Sequence, residues 1–280
     1  MISGPMEAWT TPFLRWAGSK RSLLPTLIAR YREAGCSRYI EPFSGSACLF
    51  FASRPEKAVI ADLNEELIAT YTTLRAHPRL VAQLIHTWAP DEASYYRVRG
   101  IDTNSLDEVG RAARFIYLNR LCFNGLYRTN RRGRFNVPYG ARTGRLPTEA
   151  HLYRCSVALR HADLRSGDFS DTTSDAQAGD FVYLDPPYTR SPEHAYGVYG
   201  YGSFSSTDME RMLAALHRLD RTGATFLFSY ADVPGLTDLL PSNWDVERVS
   251  ARSSIASRPS ARKPRPEILV SNVARGTERR

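Results

Sequence analysis

Cysteine is scarce in this sequence. Cys36, Cys48, Cys122 and Cys155 are the four present among 280 residues, scattered, with no CxxC pair and no histidine at ligand spacing. No zinc site or other metal is expected on that pattern, and a reduced, cytoplasmic setting is the natural one. Long apolar runs are also missing, so no membrane association is expected. The segment from Met1 to Thr10 lacks a basic stretch followed by an apolar one, which argues against a secretory leader. There is no internal repeat and no long low-complexity tract. What remains is 42% hydrophobic and 11% aromatic, enough for one sizeable core, or for a core domain plus a smaller insertion. The net charge of +8 favours a polyanionic partner, because Lys and Arg displace counterions from phosphates; it also fits a protein that is merely basic.

The first third of the chain alternates short apolar runs with helical patterns. Arg38-Tyr-Ile-Glu-Pro reads as a strand entering a loop, Ala47 to Ser53 as a helix, Ala58 to Asp62 as a second strand, and Asn64 to about His77 as an amphipathic helix. That alternation predicts a parallel sheet with crossover helices. Residues 78–164 differ in character. A helical stretch from Ser105 to Asn119 precedes Phe123 to Gly140, a run so dense in turn formers and cations that it is expected outside the packed core, as a functional surface insertion. Alternation then resumes. Asp180 to Asp185 and Thr225 to Tyr230 read as buried strands, Thr207 to Leu219 as a helix, and Trp244 to Ala251 with Glu267 to Val273 as a hairpin. Arg252 to Pro266, rich in Ser, Pro and cations, reads as a flexible loop between its arms.

Three stretches carry chemistry. In Asp185-Pro-Pro-Tyr188 a carboxylate, a stiff turn whose prolines lack N–H groups, and a flat ring follow a strand. Open parallel sheets bind ligands beyond such strand ends. The set suits a planar base bearing an exocyclic amino group, with two acceptors for its hydrogens and a ring to stack on it. A strand-ending turn with a capping Asp is the plainer reading. In Glu41-Pro-Phe-Ser-Gly-Ser-Ala47, Gly45 lets the backbone approach a ligand closely, and Asp62, about 20 residues on, stands where an acidic residue accepts from ribose hydroxyls. Asp62 fits a helix cap ahead of Asn64 equally well. Phe13-Leu-Arg-Trp-Ala-Gly-Ser-Lys20 joins an indole, a glycine turn and a lysine able to hold a carboxylate; it also fits an arm packed on the core.

These stretches occur in one order with others: FLRWAGSK, EPFSGSACLF, IADLNEELI, YLNRLCFNGLYR, RGRFNVPYG, GDF, YLDPPY and EILVSN. In that order the sequence resembles the Dam-like family of DNA adenine-N6 methyltransferases of the α arrangement, from Phe13 to Asn272. The resemblance implies an α/β fold: a Rossmann-like mixed sheet with helices on both faces, formed by residues 1–77 and 165–280. Residues 78–164 would then be an inserted, mostly helical target-recognition domain with a β-hairpin. It implies S-adenosyl-L-methionine as cofactor, held by Trp16, Lys20, Phe43, Gly45, Asp62, Asp168, Phe169 and Asp185. It implies catalysis by Asp185, Pro186, Pro187 and Tyr188, and double-stranded DNA as partner, contacted by Arg120, Phe123, Asn124, Leu126 and Arg128. A cognate restriction endonuclease is a candidate second partner.

Two departures stand out. Many relatives carry a second glycine where this chain has Ala47, and the family's founding member carries Tyr where this chain has Phe123. Family members acting on cytosine usually begin the tetrapeptide with Ser, and those acting on protein glutamine with Asn; Asp185 therefore points to adenine, flipped from the duplex and possessing GATC as its expected context. A catalytically dead DNA-binding module would be expected to lose Asp185 or the cofactor residues, and all are present.

Overall fold

A computed structural model describes residues 10–130, 132–140, 144–188, 204–252 and 264–273. Its centre is a seven-stranded sheet in the order β3-β2-β1-β4-β5-β7-β6. The strands are β1 (Arg38–Glu41), β2 (Ala58–Asp62), β3 (Ala162–Ser166), β4 (Asp180–Leu184), β5 (Thr225–Ala231), β6 (Asp245–Arg252) and β7 (Pro264–Ser271). The first five pair in parallel. β7 runs antiparallel to both β5 and β6.

The central strands β1, β2, β4 and β5 are largely apolar on both faces because helices cover both. Tyr39, Ile60, Phe181, Tyr183 and Leu227 point into one core, with α1 (Leu24–Glu33), α2 (Cys48–Ser53) and α3 (Glu65–Ala76). Their alternates Ile40, Val59, Val182, Leu184, Phe226 and Phe228 point into the other, with α8 (Phe169–Thr172) and α9 (Ser206–Thr222). β4 is buried at every position, as the middle strand of a doubly covered sheet must be. The mixed sheet with helices on both faces is the architecture the resemblance implies.

Between α3 and β3 the chain makes α4 (Pro78–Thr87), α5 (Glu92–Gly100), α6 (Glu108–Leu121) and α7 (Glu149–Leu159). Local capping sets their starts. α4 opens on Pro78, and for the others Asp91 accepts from Ser94 N, Asp107 from Gly110 N and Thr148 from His151 N, as Asn64 does from Leu67 N at the start of α3. The Asp107 cap explains why α6 begins at Glu108 rather than at the expected Ser105; Thr103–Ser105 form a separate 3-10 turn capped by Asp102.

The structure amends two expectations. Phe123 to Gly140 is not wholly outside the core: Tyr127 and Val137 are buried, Tyr127 within the main cluster. The run folds back on itself through the bridges Thr129↔Phe135 and Cys122↔Tyr139, which turn some side chains inward despite the polar composition. The loop expected over Arg252 to Pro266 is shorter, because β7 already begins at Pro264. Pro264 and Pro266 are tolerated there because pairing with β5 starts only at Glu267. The rest of that loop, residues 253–263, lies outside the described residues, as does the segment Met1 to Trp9 over which no secretory leader is expected. The expected boundary at residue 164 falls inside β3, and α4, α6 and α7 share the main core with the sheet. Among the described residues, no helix is long and apolar enough to cross a membrane.

Candidate active site

From β1 the chain proceeds to β2 and β3 on one side; after β3 it returns to β4 and β5 on the other. The reversal lies between β1 and β4, and open α/β sheets bind ligands at the carboxyl ends of strands at such a switch point. The loops leaving those two strand ends are Pro42–Ala47 and Asp185–Tyr188.

Asp185 is held from two sides. Lys20 Nζ donates to its Oδ1 at 2.7 Å and Ser229 Oγ to the same oxygen at 2.8 Å. Burial works against the charge on Lys20, but the carboxylates of Asp185 and Glu267 outweigh it, and the lysine pKa stands above its ordinary value. Lys20 also donates to Gly18 O at 3.1 Å and lies 4.8 Å from the centre of the Tyr188 ring. The carboxylate that this lysine holds is therefore Asp185's. Tyr188 packs edge-on against Tyr230 at 5.0 Å, and burial, then Asp185, raise its pKa. Pro186 is buried and Pro187 partly so.

The glycine loop is pinned by Asp62. Gly45 N donates to Asp62 Oδ2 at 2.9 Å and Asn64 N to Oδ1 at 3.0 Å, while Tyr71 OH donates to Gly45 O. Asn64, not Asp62, is the residue that caps α3. Burial pushes the Asp62 pKa up to about 6, against the pull of the backbone amides of Gly45, Asn64 and Leu63. Gly45 has φ 46° and faces the Trp16 indole so closely that a Cβ would stand 2.6 Å from Cδ1. Ala47 is also left-handed, at φ 49°, and fully buried. That conformation is the physical reason glycine suits this position in relatives.

At the end of β3, Asp168 caps α8 through Ser170 N at 2.8 Å and pairs with Arg211 Nη2 at 2.6 Å. Phe169 packs on Phe43 at 5.3 Å, with the Arg211 guanidinium 4.9 Å from its ring centre. The residues expected at the cofactor and at the chemistry thus gather at one edge of the sheet. Sequence reasoning missed Ser229 and Arg211. Ser229 left a signal, a lone small polar residue inside the apolar strand TFLFSYA; Arg211, one of many cations on an amphipathic helix, left none.

The residues expected at DNA form a separate group along 120–128. Arg120 donates to Arg145 O, and burial, then the neighbouring Arg15 and Arg21, push its pKa down to about 10. Phe123 is 37% exposed, a large apolar side chain offered to solvent. Asn124 and Gly125 form a left-handed turn, at φ 55° and 65°, whose tip meets Arg15. Leu126 packs against the small cluster around Tyr95 and Tyr117. Arg128 is exposed, with Nε donating to Asn136 Oδ1 at 2.8 Å. Among the described residues, Arg15, Arg21, Arg120, Arg128, Arg145 and Arg154 make no ion pair with a carboxylate, so their charge is available to a polyanion. No cluster of His, Cys, Asp and Glu able to hold a metal occurs among the described residues.

Comparison with known proteins identifies the family. Residues 16–255 match the family model for D12 class N6 adenine-specific DNA methyltransferases. A type II methyltransferase of Lactococcus lactis subsp. cremoris is 34% identical over 271 residues, 93% of this chain and 95% of the relative. A type II methyltransferase of Methanocaldococcus jannaschii is 32% identical over 93% of this chain and 98% of the relative. A DNA adenine methylase of Salmonella typhimurium is 30% identical over 92% and 94%.

The two left-handed positions of the loop are expected to respond oppositely to substitution. Gly45→Ala must displace Trp16 or the loop and is expected to cost about 2 kcal/mol or more, the scale of backbone strain plus overpacking. Ala47→Gly trades a buried methyl for relief of strain and is expected to change stability by less than about 1 kcal/mol. Urea unfolding of both variants measures this, and equal costs would remove the distinction.

Proposed function

Because this chain belongs to the D12 class of N6 adenine-specific DNA methyltransferases, we propose that it methylates N6 of an adenine flipped out of duplex DNA, with S-adenosyl-L-methionine as donor. The observation that carries the reading is the setting of Asp185: both described donors take Oδ1, so Oδ2 keeps its capacity to accept.

The cofactor loop fits the donor on its own evidence. Ser44 Oγ is buried there with no hydrogen-bond partner among the described residues, Gly45 leaves room for a close backbone approach, and Asp62 supplies a carboxylate for ribose hydroxyls. Phe43 and Phe169, with Asp168, offer apolar faces and an acceptor for an adenine ring, and Trp16 lines the glycine turn. Bound there, S-adenosyl-L-methionine supplies an electrophilic methyl group on a sulfonium centre.

The chain's residues supply positioning and electrostatics. Adenine N6 is a poor nucleophile because its lone pair is delocalised into the ring. Asp185 Oδ2 and the Pro186 carbonyl accept the two N6 hydrogens, which draws the nitrogen toward a tetrahedral geometry and exposes the lone pair. Lys20 and Ser229 hold the carboxylate in place during this step. Tyr188 stacks on the extruded ring. Flipping costs about a few kcal/mol, met by contacts of the basic surface with the phosphates. The type II names of two relatives favour a companion restriction endonuclease of the same specificity.

Expression in a methylation-free host, followed by genome-wide mapping of modified bases by single-molecule sequencing, tests the reading. Wild type is expected to give N6-methyladenine in one sequence context and Asp185→Ala none, while the variant still binds DNA, since phosphate contacts come from elsewhere. Near wild-type methylation by Asp185→Ala would remove Asp185 from the chemistry.

Asp62 gives the reaction a pH dependence. Its carboxyl titrates at about 6, and only the ionised form accepts from a ribose without carrying a proton of its own. Affinity for S-adenosylhomocysteine is expected to hold above that value and to fall as pH drops through it, about tenfold by one unit below. Asp62→Asn is expected to bind weakly and without that dependence. Calorimetry from pH 5 to 8 measures both, and a flat wild-type profile would contradict the assignment.

The recognition run resembles that of GATC-methylating family members, and GATC is the context we expect in the map. Arg128 has the exposure and the donor fork to read guanine O6 and N7. Across a library of single-base variants of the mapped site, Arg128→Ala is expected to cost about 1–3 kcal/mol and to relax one position. Uniform slowing with the ranking of sites unchanged would make Arg128 a phosphate contact.

A further inference from the structure

The cofactor loop and the recognition run, far apart in sequence, meet through two aromatic rings. The Trp16 indole lies against Gly45 on one side, within the distance a Cβ would occupy. It also stacks on the Tyr127 ring, with centroids 6.0 Å apart and planes 15° from parallel. Tyr127 sits between Leu126 and Arg128 in the run that leaves α6. It is 3% exposed and wedged between Phe115 of α6 at 5.3 Å and Phe135, across the fold of the run, at 5.8 Å. Its hydroxyl donates to Glu66 Oε2 at 2.5 Å, at the start of α3 and just beyond Asp62.

Each end of this relay is constrained. Gly45 is fixed by Asp62 and Tyr71, so a ligand settling on the glycine turn has Trp16 as the side chain before it. Packed aromatic contacts have discrete arrangements and do not deform continuously. The other end is tied as well: Arg15 N donates to Asn119 Oδ1 at 2.8 Å and Asn119 Nδ2 to Arg15 O at 2.7 Å, next to Trp16 and Arg120 respectively. The segment bearing Trp16 is thereby fastened to the recognition helix, and the ring stack joins the indole that lies on Gly45 directly to the recognition run.

We propose that Tyr127 is a positioning residue which, through its stack on Trp16, couples cofactor occupancy to DNA recognition, so that each ligand raises affinity for the other. This rests on the cofactor and DNA sites proposed above. The coupling is reciprocal by thermodynamic necessity, and typical values are about 5- to 150-fold. The stacked ring is what carries it; the phenolic hydroxyl only orients that ring on Glu66.

The test is a binding cycle on the full chain. The affinity of S-adenosylhomocysteine is measured with and without duplex carrying the mapped site, and that of the duplex with and without S-adenosylhomocysteine. Wild type is expected to show about tenfold coupling in both directions. Tyr127→Phe, which keeps the stack, is expected to retain it. Tyr127→Leu, which removes the stack, is expected to bring it below about twofold with each separate affinity within about threefold of wild type. If Tyr127→Leu fails to fold, Tyr127→Met, a flexible side chain of similar reach, takes its place. Absence of coupling in wild type overturns the proposal. So does a leucine or methionine variant that keeps the wild-type coupling factor, whether or not both affinities fall together; Tyr127 would then be a packing residue. Failure of wild type to bind S-adenosylhomocysteine at all is a different result, which removes the cofactor site itself and the proposal with it.

Discussion

The buried pair of Lys20 and Asp185 ties this site together. It joins a segment that precedes the first strand to the end of β4, and with Ser229 of β5 it sets where the carboxylate of the Asp-Pro-Pro-Tyr turn stands. A buried ion pair contributes little net stability, because desolvation offsets most of the attraction. Its value here is positional. The lysine, 4% exposed, has its charge sustained by Asp185 and Glu267 against the cost of burial, so the pair holds one carboxylate oxygen and leaves the other its accepting capacity. Losing either partner leaves a buried charge, which is why such a pair, once formed, fixes the entry of the chain into the fold.

The sheet explains why the remaining residues converge. Parallel strands deliver their carboxyl ends to one edge, and reversal of strand order between β1 and β4 sends the loops there apart, the arrangement at which open sheets bind ligands. Pro42–Ala47, Asp62, Asp168 and Asp185 are all at or just past strand ends, so one topological fact brings together residues more than a hundred positions apart. The loop bears costs that suit a binding site: Ala47 in a left-handed conformation, a buried Ser44 hydroxyl, and Asp62 with its pKa raised by burial.

Much of this was legible in the sequence where local rules act alone. β1, β2, β4 and β5 are short apolar runs between turn formers, and α2, α3 and α9 have the expected periodicity. The hairpin arms were legible to within three residues; what was not was that β7 inserts between β5 and β6, since an antiparallel strand reads alike at an edge or inside. The prolines at the start of β7 read as loop because composition does not show which side of a strand is left unpaired. Tyr127 was hidden for a related reason: its inward face depends on the run pairing with itself, and surrounding Arg, Asn and Gly residues mask it. Ser229 and Arg211 act across strands and helices, where no sequence spacing reports them.

The way the insertion is built limits how specificity can change. Residues 78–164 do not stand clear of the sheet: Val81, Ile85, Ala112, Ile116, Tyr127, Leu152 and Leu159 belong to the same core as Tyr39, Ile60 and Phe181. A substitution at one of these positions is felt by the strands that carry the Pro42–Ala47 loop, because a close-packed interior transmits strain. Among the described residues of 123–140, the exposed side chains are those of Phe123, Arg128, Asn130, Arg132, Arg134 and Pro138, set on a backbone fixed by its own bridges and by the Asn124–Gly125 turn against Arg15. On the DNA contacts proposed above, target sequence is free to vary at those exposed positions without reaching the chemistry, whereas the inward-facing residues between them answer to both. On that reading recognition and catalysis share one core, and the division between them runs residue by residue along a single loop.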